Sequence, residues 1–242
     1  PYRRQRQMCI RDSCYSGVAD IFRLPKFSLS FFRTQIAEGS MLPSGKMPYE
    51  VFIPAYRDEI LSDTVMVYGN VDEVELVLNG KTIRRQTADK GPDSDYISVP
   101  NGGNGKNLHF PPFTFYGVPK ERGVLKAVGY HQGKKVAEYT VKTPGVPERL
   151  DITYFESGKP ATKNDLLIVY VRMLDKQGVL CPVNGIPVEL SVQGGEIVGP
   201  TSYPLEAGVA SFLVRTGEIS KININATGKG FSTRKSLKVG KE

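Results

Sequence analysis

Glu73 and Glu75 stand two residues apart in Asp72-Glu73-Val74-Glu75-Leu76-Val77-Leu78-Asn79. A pair of carboxylates is what acetal cleavage uses, about 5 to 5.5 Å apart for retention of configuration and about 6.5 to 9.5 Å apart for inversion. Their setting predicts something plainer. Alternate outward positions of a strand are where solvated charge sits, and nothing nearby in sequence suggests the pocket that would raise one carboxyl towards an acid catalyst. His109 and His131 lie in different segments without a His-x-x-x-His or Cys-x-x-Cys companion, so the spacing predicts no metal site. Cys14 and Cys181 have no motif around them and read as small structural residues.

Three loop sequences superficially suggest ligands. Asp89, Asp93 and Asp95 offer carboxylates to a calcium ion, but their spacing matches no calcium loop. Asn101-Gly102-Gly103-Asn104-Gly105-Lys106-Asn107 has neither the spacing of a phosphate loop nor a following Ser, Thr or helix. Asn225-Ala226-Thr227 is a glycosylation sequon, of consequence only in a eukaryotic secretory pathway. The aromatic run His109-Phe110-Pro111-Pro112-Phe113-Thr114-Phe115-Tyr116 has two readings. Exposed rings stack on sugar faces, which makes Phe110 and Tyr116 the candidate carbohydrate contacts. Phe113 and Phe115 share one strand face and suit a core, and tryptophan, the best stacking residue, is missing from the chain. The residues by themselves thus nominate no catalytic, cofactor-binding or metal-binding position.

The elements that position these side chains are mostly strands. Val74, Leu76 and Leu78 alternate with Glu73, Glu75 and Asn79, and Asn79-Gly80 is the strongest short hairpin signal. Gly123–Tyr130 and Val136–Lys142 form a second pair, joined through His131-Gln132-Gly133-Lys134. Between the pairs, residues 88–107 read as a surface excursion. After Thr143-Pro144-Gly145-Val146-Pro147-Glu148-Arg149 the alternation resumes. Leu166–Leu174 reads as a central strand ended by Asp175-Lys176-Gln177-Gly178. Val188/Leu190/Val192, Ala210/Phe212/Val214 and Ile222/Ile224/Ala226 mark further inward faces. Only residues 17–35 read as helical, with Leu24, Phe27 and Phe31 on one face and Pro25 in the first turn; nothing N-terminal to them supplies a layer to cover that face.

The 242 residues, 40% hydrophobic and 24% charged, are enough for two domains, each with its own core. No apolar run approaches the roughly 18 residues of a membrane span, and three cysteines make no disulfide framework. Of the net +7, Arg3, Arg4, Arg6 and Arg11 against Asp12 supply +3. Those residues surround Met8-Cys9-Ile10-Arg11-Asp12-Ser13, which resembles the conceptual translation of a transposon-type sequencing adapter. Residues 1–13 are therefore expected to be read-through sequence and are set aside. The remaining charge is mild and interspersed, which predicts no nucleic-acid partner.

Residues 17–27 together with Phe31-Phe32-Arg33-Thr34-Gln35 resemble the last helical segment of the catalytic barrel in family 2 glycoside hydrolases, the β-galactosidase-like enzymes. Residues 68–81, Pro111-Pro112-Phe113-Thr114-Phe115 and residues 125–130 resemble the sandwich that follows that barrel. Val146-Pro147-Glu148-Arg149-Leu150, residues 194–200 and residues 207–210 are similar to a further C-terminal sandwich. The first sandwich departs from the pattern at Val51-Phe52-Ile53-Pro54-Ala55-Tyr56, where relatives often carry tryptophans.

The resemblance implies an all-β chain of two immunoglobulin-like sandwiches in tandem, preceded by a helix remnant of a TIM barrel. Its segments would be an adapter-like stretch at 1–13, the last barrel helix at 14–36, and sandwiches at 37–145 and 146–242. No position matches the family's catalytic glutamates. The chain is thus expected to be a non-catalytic accessory region of a parent that hydrolyses terminal β-linked sugars, inactive alone. Its implied partner is the missing catalytic barrel, with carbohydrate and a second copy as further candidates, and its implied compartment is periplasmic or extracellular rather than cytoplasmic. The rival reading is a free-standing cell-surface adhesion or carbohydrate-binding module, for which residues 17–35 would have no use.

Overall fold

The computed structural model describes residues 17–55, 63–89, 108–155, 160–218 and 220–240. Residues 1–13, Cys14, Asp93, Asp95 and the 101–107 loop lie outside them. The chain divides into two units, Pro1–Thr143 and Pro144–Glu242.

Among its described residues the first unit has one helix, α1 (Phe27–Arg33), followed by a small hairpin of β1 (Met41–Leu42) and β2 (Gly45–Lys46). Seven strands follow: β3 (Val51–Phe52), β4 (Val65–Gly69), β5 (Glu73–Leu78), β6 (Lys81–Thr87), β7 (Phe113–Phe115), β8 (Val124–His131) and β9 (Lys134–Lys142). They form two antiparallel sheets, β3-β4-β7 and β6-β5-β8-β9. Strand alternation places the core between them. Val74, Leu76 and Leu78 meet Val67, Phe113 and Phe115, all at most 2% exposed. Burying side chains of this size stabilises by about 1.5 to 3 kcal/mol each.

Two hairpins fix the register of the larger sheet. Asn79 and Gly80 have φ of 50° and 81°, and Gln132 and Gly133 have 49° and 74°. Consecutive positive φ values make the tight turn whose twist matches that of the flanking strands. The Asn79 side chain ties its turn to a neighbouring segment, its Oδ1 accepting from Val124 N at 2.8 Å and its Nδ2 donating to the Arg122 carbonyl at 3.0 Å.

The helix is shorter than the 17–35 span the sequence predicts. Asp20 is the reason. Its Oδ1 accepts the N–H groups of Phe22 and Leu24, both at 2.8 Å, and Arg23 takes a φ of 62°. The local side-chain bond offers the backbone an alternative to helix, so residues 17–25 close as a loop, with Ala19 bridged to Pro25. Pro25 precedes the N-cap Lys26 instead of occupying the first turn. The aromatic face also has a partner after all, supplied from C-terminal sequence. Phe27 meets Phe52 edge-on at 5.6 Å, and Phe31 meets Tyr68 at 5.0 Å. Phe52 and Tyr68 are paired neighbours on β3 and β4, so the helix lies on the outer side of the smaller sheet.

The second unit contains β10 (Arg149–Tyr154), β11 (Leu166–Leu174), β12 (Pro187–Gln193), β13 (Gly195–Ile197), β14 (Ser202–Pro204), β15 (Val209–Thr216), β16 (Lys221–Gly228) and β17 (Phe231–Lys238). Its sheets are β10-β11-β15-β13 and β14-β12-β16-β17, antiparallel throughout. In the first unit β3, β4 and β7 face β5, β6, β8 and β9, and in the second β10, β11, β13 and β15 face β12, β14, β16 and β17, each an immunoglobulin-like sandwich of two antiparallel sheets. β11 is central, and Val169, Val171 and Met173 are fully buried against Phe212, Ile222 and Ile224.

Candidate functional site

On the outward face of β5, both carboxylates that the sequence offered as chemistry are engaged by neighbours. Glu73 takes Arg85 from β6, whose Nε donates to Oε2 at 3.0 Å. The same guanidinium lies 3.7 Å above the Tyr130 ring on β8. Tyr130 donates its hydroxyl to Glu75 Oε2 at 2.7 Å, and Thr82 donates to Glu75 Oε1 at 2.6 Å. The Thr82 and Tyr130 hydrogen bonds, with Arg85 nearby, hold the Glu75 carboxyl below the usual range despite partial desolvation. An acid catalyst needs the opposite shift. The bond to Glu75 correspondingly pushes the Tyr130 phenol up.

His131 is the last residue of β8, paired with Lys134 across the hairpin. Its Nδ1 lies 3.2 Å from Asp72 Oδ1, its ring stacks on Tyr49 at 5.0 Å, and the adjacent Gln132 N–H donates to Asp72 Oδ2 at 2.9 Å. That Gln132 bond is the main reason the Asp72 carboxyl sits low, with burial opposing it and His131 adding to it. His109 is exposed and edge-on to Phe110 at 4.6 Å. Among the described residues no group of three or more His, Cys, Asp or Glu side chains could hold a metal ion.

Asp89, at the start of the long excursion, accepts from Thr114 N at 3.2 Å and from Thr114 Oγ1 at 2.6 Å. Cys181 is buried in the second unit, its thiol pushed up by burial and then by Asp175. A thiol so held stays protonated and unreactive. Phe113 and Phe115 fill the first core. Phe110 is half-buried, its backbone held in both directions by Gln35: Gln35 Nε2 donates to the Phe110 carbonyl at 3.0 Å, and Phe110 N donates to Gln35 Oε1 at 3.1 Å. Tyr116 is exposed.

The polar seam between helix and sandwich was not visible in the sequence. Arg33 makes a two-pronged ion pair with Glu50, its Nε donating at 3.1 and 3.0 Å. Buried Asn70 accepts from Glu50 N at 2.6 Å and donates to the carbonyls of Ile36 and Pro48, both at 3.0 Å. The one available signal was an amide inside the otherwise apolar run around Tyr68-Gly69-Asn70-Val71. Beyond this seam the N-terminal segment exposes a second apolar set: Ile21 at 76%, Phe32 at 56% and Met41 at 75%. Among the described residues no helix is long and apolar enough to cross a membrane.

A family described as "Domain of unknown function (DUF4982)" matches residues 62–137. A β-galactosidase of Thermoanaerobacter pseudethanolicus is 32% identical over 215 residues, covering 84% of this chain and 27% of that protein. A β-galactosidase of Rhizobium radiobacter is 30% identical over 129 residues, 52% of this chain and 92% of that protein. Among solved structures, a β-glucuronidase from glycoside hydrolase family 2 superposes with a TM-score of 0.73 over 93% of this chain and 23% of its own, at 22% identity. The chain thus spans about a quarter of the length of the first of these relatives. On these relationships the chain belongs to glycoside hydrolase family 2, among its β-galactosidase-like members.

Proposed function

We propose that this chain is a non-catalytic accessory region of a family 2 enzyme that hydrolyses terminal β-linked sugars, and that it braces a catalytic barrel encoded elsewhere in the parent. The observation that carries the reading is the two-sided N-terminal segment. One side is pinned to the first sandwich by Arg33–Glu50, Gln35–Phe110 and Asn70–Ile36. Ile21, Phe32 and Met41 are left exposed. Three large apolar side chains left exposed within 21 residues of sequence are what burial against a further domain would cover. The engagement of Glu73 and Glu75 by Arg85, Thr82 and Tyr130 supports the absence of a glycosidic acid and nucleophile here.

Two measurements test the reading. The purified chain is expected to leave a chromogenic β-galactoside intact beyond a mock preparation, and turnover would overturn the proposal. Co-expressed with the upstream part of its parent, the chain is expected to co-purify with it, and Phe32→Glu with Met41→Glu should abolish the association. Retention by that variant would overturn the docking surface.

A further inference from the structure

The charge on the second unit is distributed unlike its sequence average. Between Glu218 and Glu242 the chain carries six cations and no carboxylate. The fold puts three of them on one surface. On β16, Ile222, Ile224 and Ala226 point into the core, so Lys221, Asn223 and Asn225 point outward. The register sets Lys238 opposite Lys221, Ser236 opposite Asn223 and Arg234 opposite Asn225, extending the same outer face. Lys221, Arg234 and Lys238 are exposed, and Lys229 stands at the hairpin tip. Among the described residues none of these four has a carboxylate partner. The one acidic side chain on the outer face of this sheet is Glu189, two strands from β17.

We infer that this outer face is a docking surface for an acidic polysaccharide. Lys221 and Lys238 are like charges directly opposite on a ladder, an arrangement that repels itself and that one bound anion relieves. Arg234 lies four residues from Lys238 along the strand, about 13 Å away. That is too far for both to share a single small anion, so the fitting ligand is a polymer bearing charge at intervals. Between the cations the surface offers amides and hydroxyls. Ser236 donates to Asn223 Oδ1 at 2.6 Å and Asn225 Nδ2 donates to Ser191 Oγ at 3.5 Å, a flat polar lattice suited to sugar hydroxyls. No aromatic ring projects from the outward positions of β12, β16 or β17 to stack on a base, and the one apolar residue at those positions, Pro187 at the start of β12, is too little to enter a bilayer. Nucleic acid and lipid surfaces therefore fit it less well. This inference stands apart from the barrel-bracing role, since it concerns the other unit.

The test is affinity electrophoresis of the 242-residue chain through gels containing polygalacturonate, dextran sulfate or neutral dextran. Retardation by at least one of the two acidic polymers, weakening with added salt, and none by dextran is expected; which polymer retards it separates carboxylate from sulfate recognition. Arg234→Gln with Lys238→Gln should weaken that binding about tenfold, because each lost cation removes a counterion-releasing contact. Lys134→Gln with Lys176→Gln, of equal net charge, should leave it unchanged. Circular dichroism confirms that each variant is folded, and Lys221→Gln alone gives a milder second reading. Equal loss in both double variants, or no retardation by either acidic polymer, overturns the inference. Tighter binding to duplex DNA or to phosphatidylserine vesicles than to the polysaccharides also overturns it.

Discussion

The side-chain amide of Asn70 donates to the Ile36 carbonyl at 3.0 Å, across 34 residues of sequence. With its bonds to Pro48 and Glu50, it is a buried polar group with three partners, all of them in the chain that leads from the helix into the sandwich. A group so satisfied contributes through what its loss would leave unpaired.

Asn70→Ala is therefore expected to strand the Glu50 N–H and two carbonyls, destabilising the first unit by about 3 kcal/mol. Urea titration measures that loss. Hydrogen exchange should show protection falling first at Thr34, Gln35 and Ile36, whose N–H groups bond within the helix end. Unchanged protection there would contradict the role assigned to Asn70.

Val51 is wedged between two glycines. A Cβ built on Gly129 would lie 2.7 Å from Val51 Cγ1, and one on Gly69 would lie 2.9 Å from the same atom. Gly129→Ala should destabilise by about 1 to 3 kcal/mol through overpacking. Adding Val51→Ala should restore part of that loss, so that the two changes together cost less than their sum. Strict additivity in a double-mutant cycle would refute the wedge.

Asp175 gives the second unit an acid-sensitive joint. Burial alone would raise its carboxyl, but the N–H groups of Gly145, Val179, Gln177 and Gly178 outweigh that and hold it low. The Gly145 bond is 2.7 Å and the Val179 bond 2.8 Å. A carboxyl lower in the folded than in the unfolded state adds stability at pH values above its unfolded value, about 3.9, and loses that contribution as pH falls through its folded value. Asp175→Asn should lower stability at pH 7 and flatten the acid limb of the stability profile below about pH 4. A variant as acid-sensitive as the parent would show that the sensitivity lies elsewhere.

Glu73→Gln with Glu75→Gln, made in the full-length enzyme, should leave kcat/KM for a β-galactoside within about twofold. The stability cost should stay near 1 kcal/mol, since exposed pairs contribute little. A fall in kcat by orders of magnitude would return these carboxylates to the chemistry.

The strands and their inward faces were legible because the period of two is a local property. Val74, Leu76 and Leu78, or Ile222, Ile224 and Ala226, declare their side by alternation alone, and Asn79-Gly80 declares its turn by the φ values it tolerates. Residues 17–35 misled because Leu24, Phe27 and Phe31 have helical spacing, whereas the Asp20 side chain captures the backbone ahead of them. Sequence alone thus determined which faces are apolar and where the tight turns fall. Only the tertiary structure decided that Phe31 rests on Tyr68, that Gln35 holds Phe110, that four N–H groups converge on Asp175, and that Lys221 opposes Lys238. Those partners are set by which strands pair and how loops close, and no pattern within a short window carries that information.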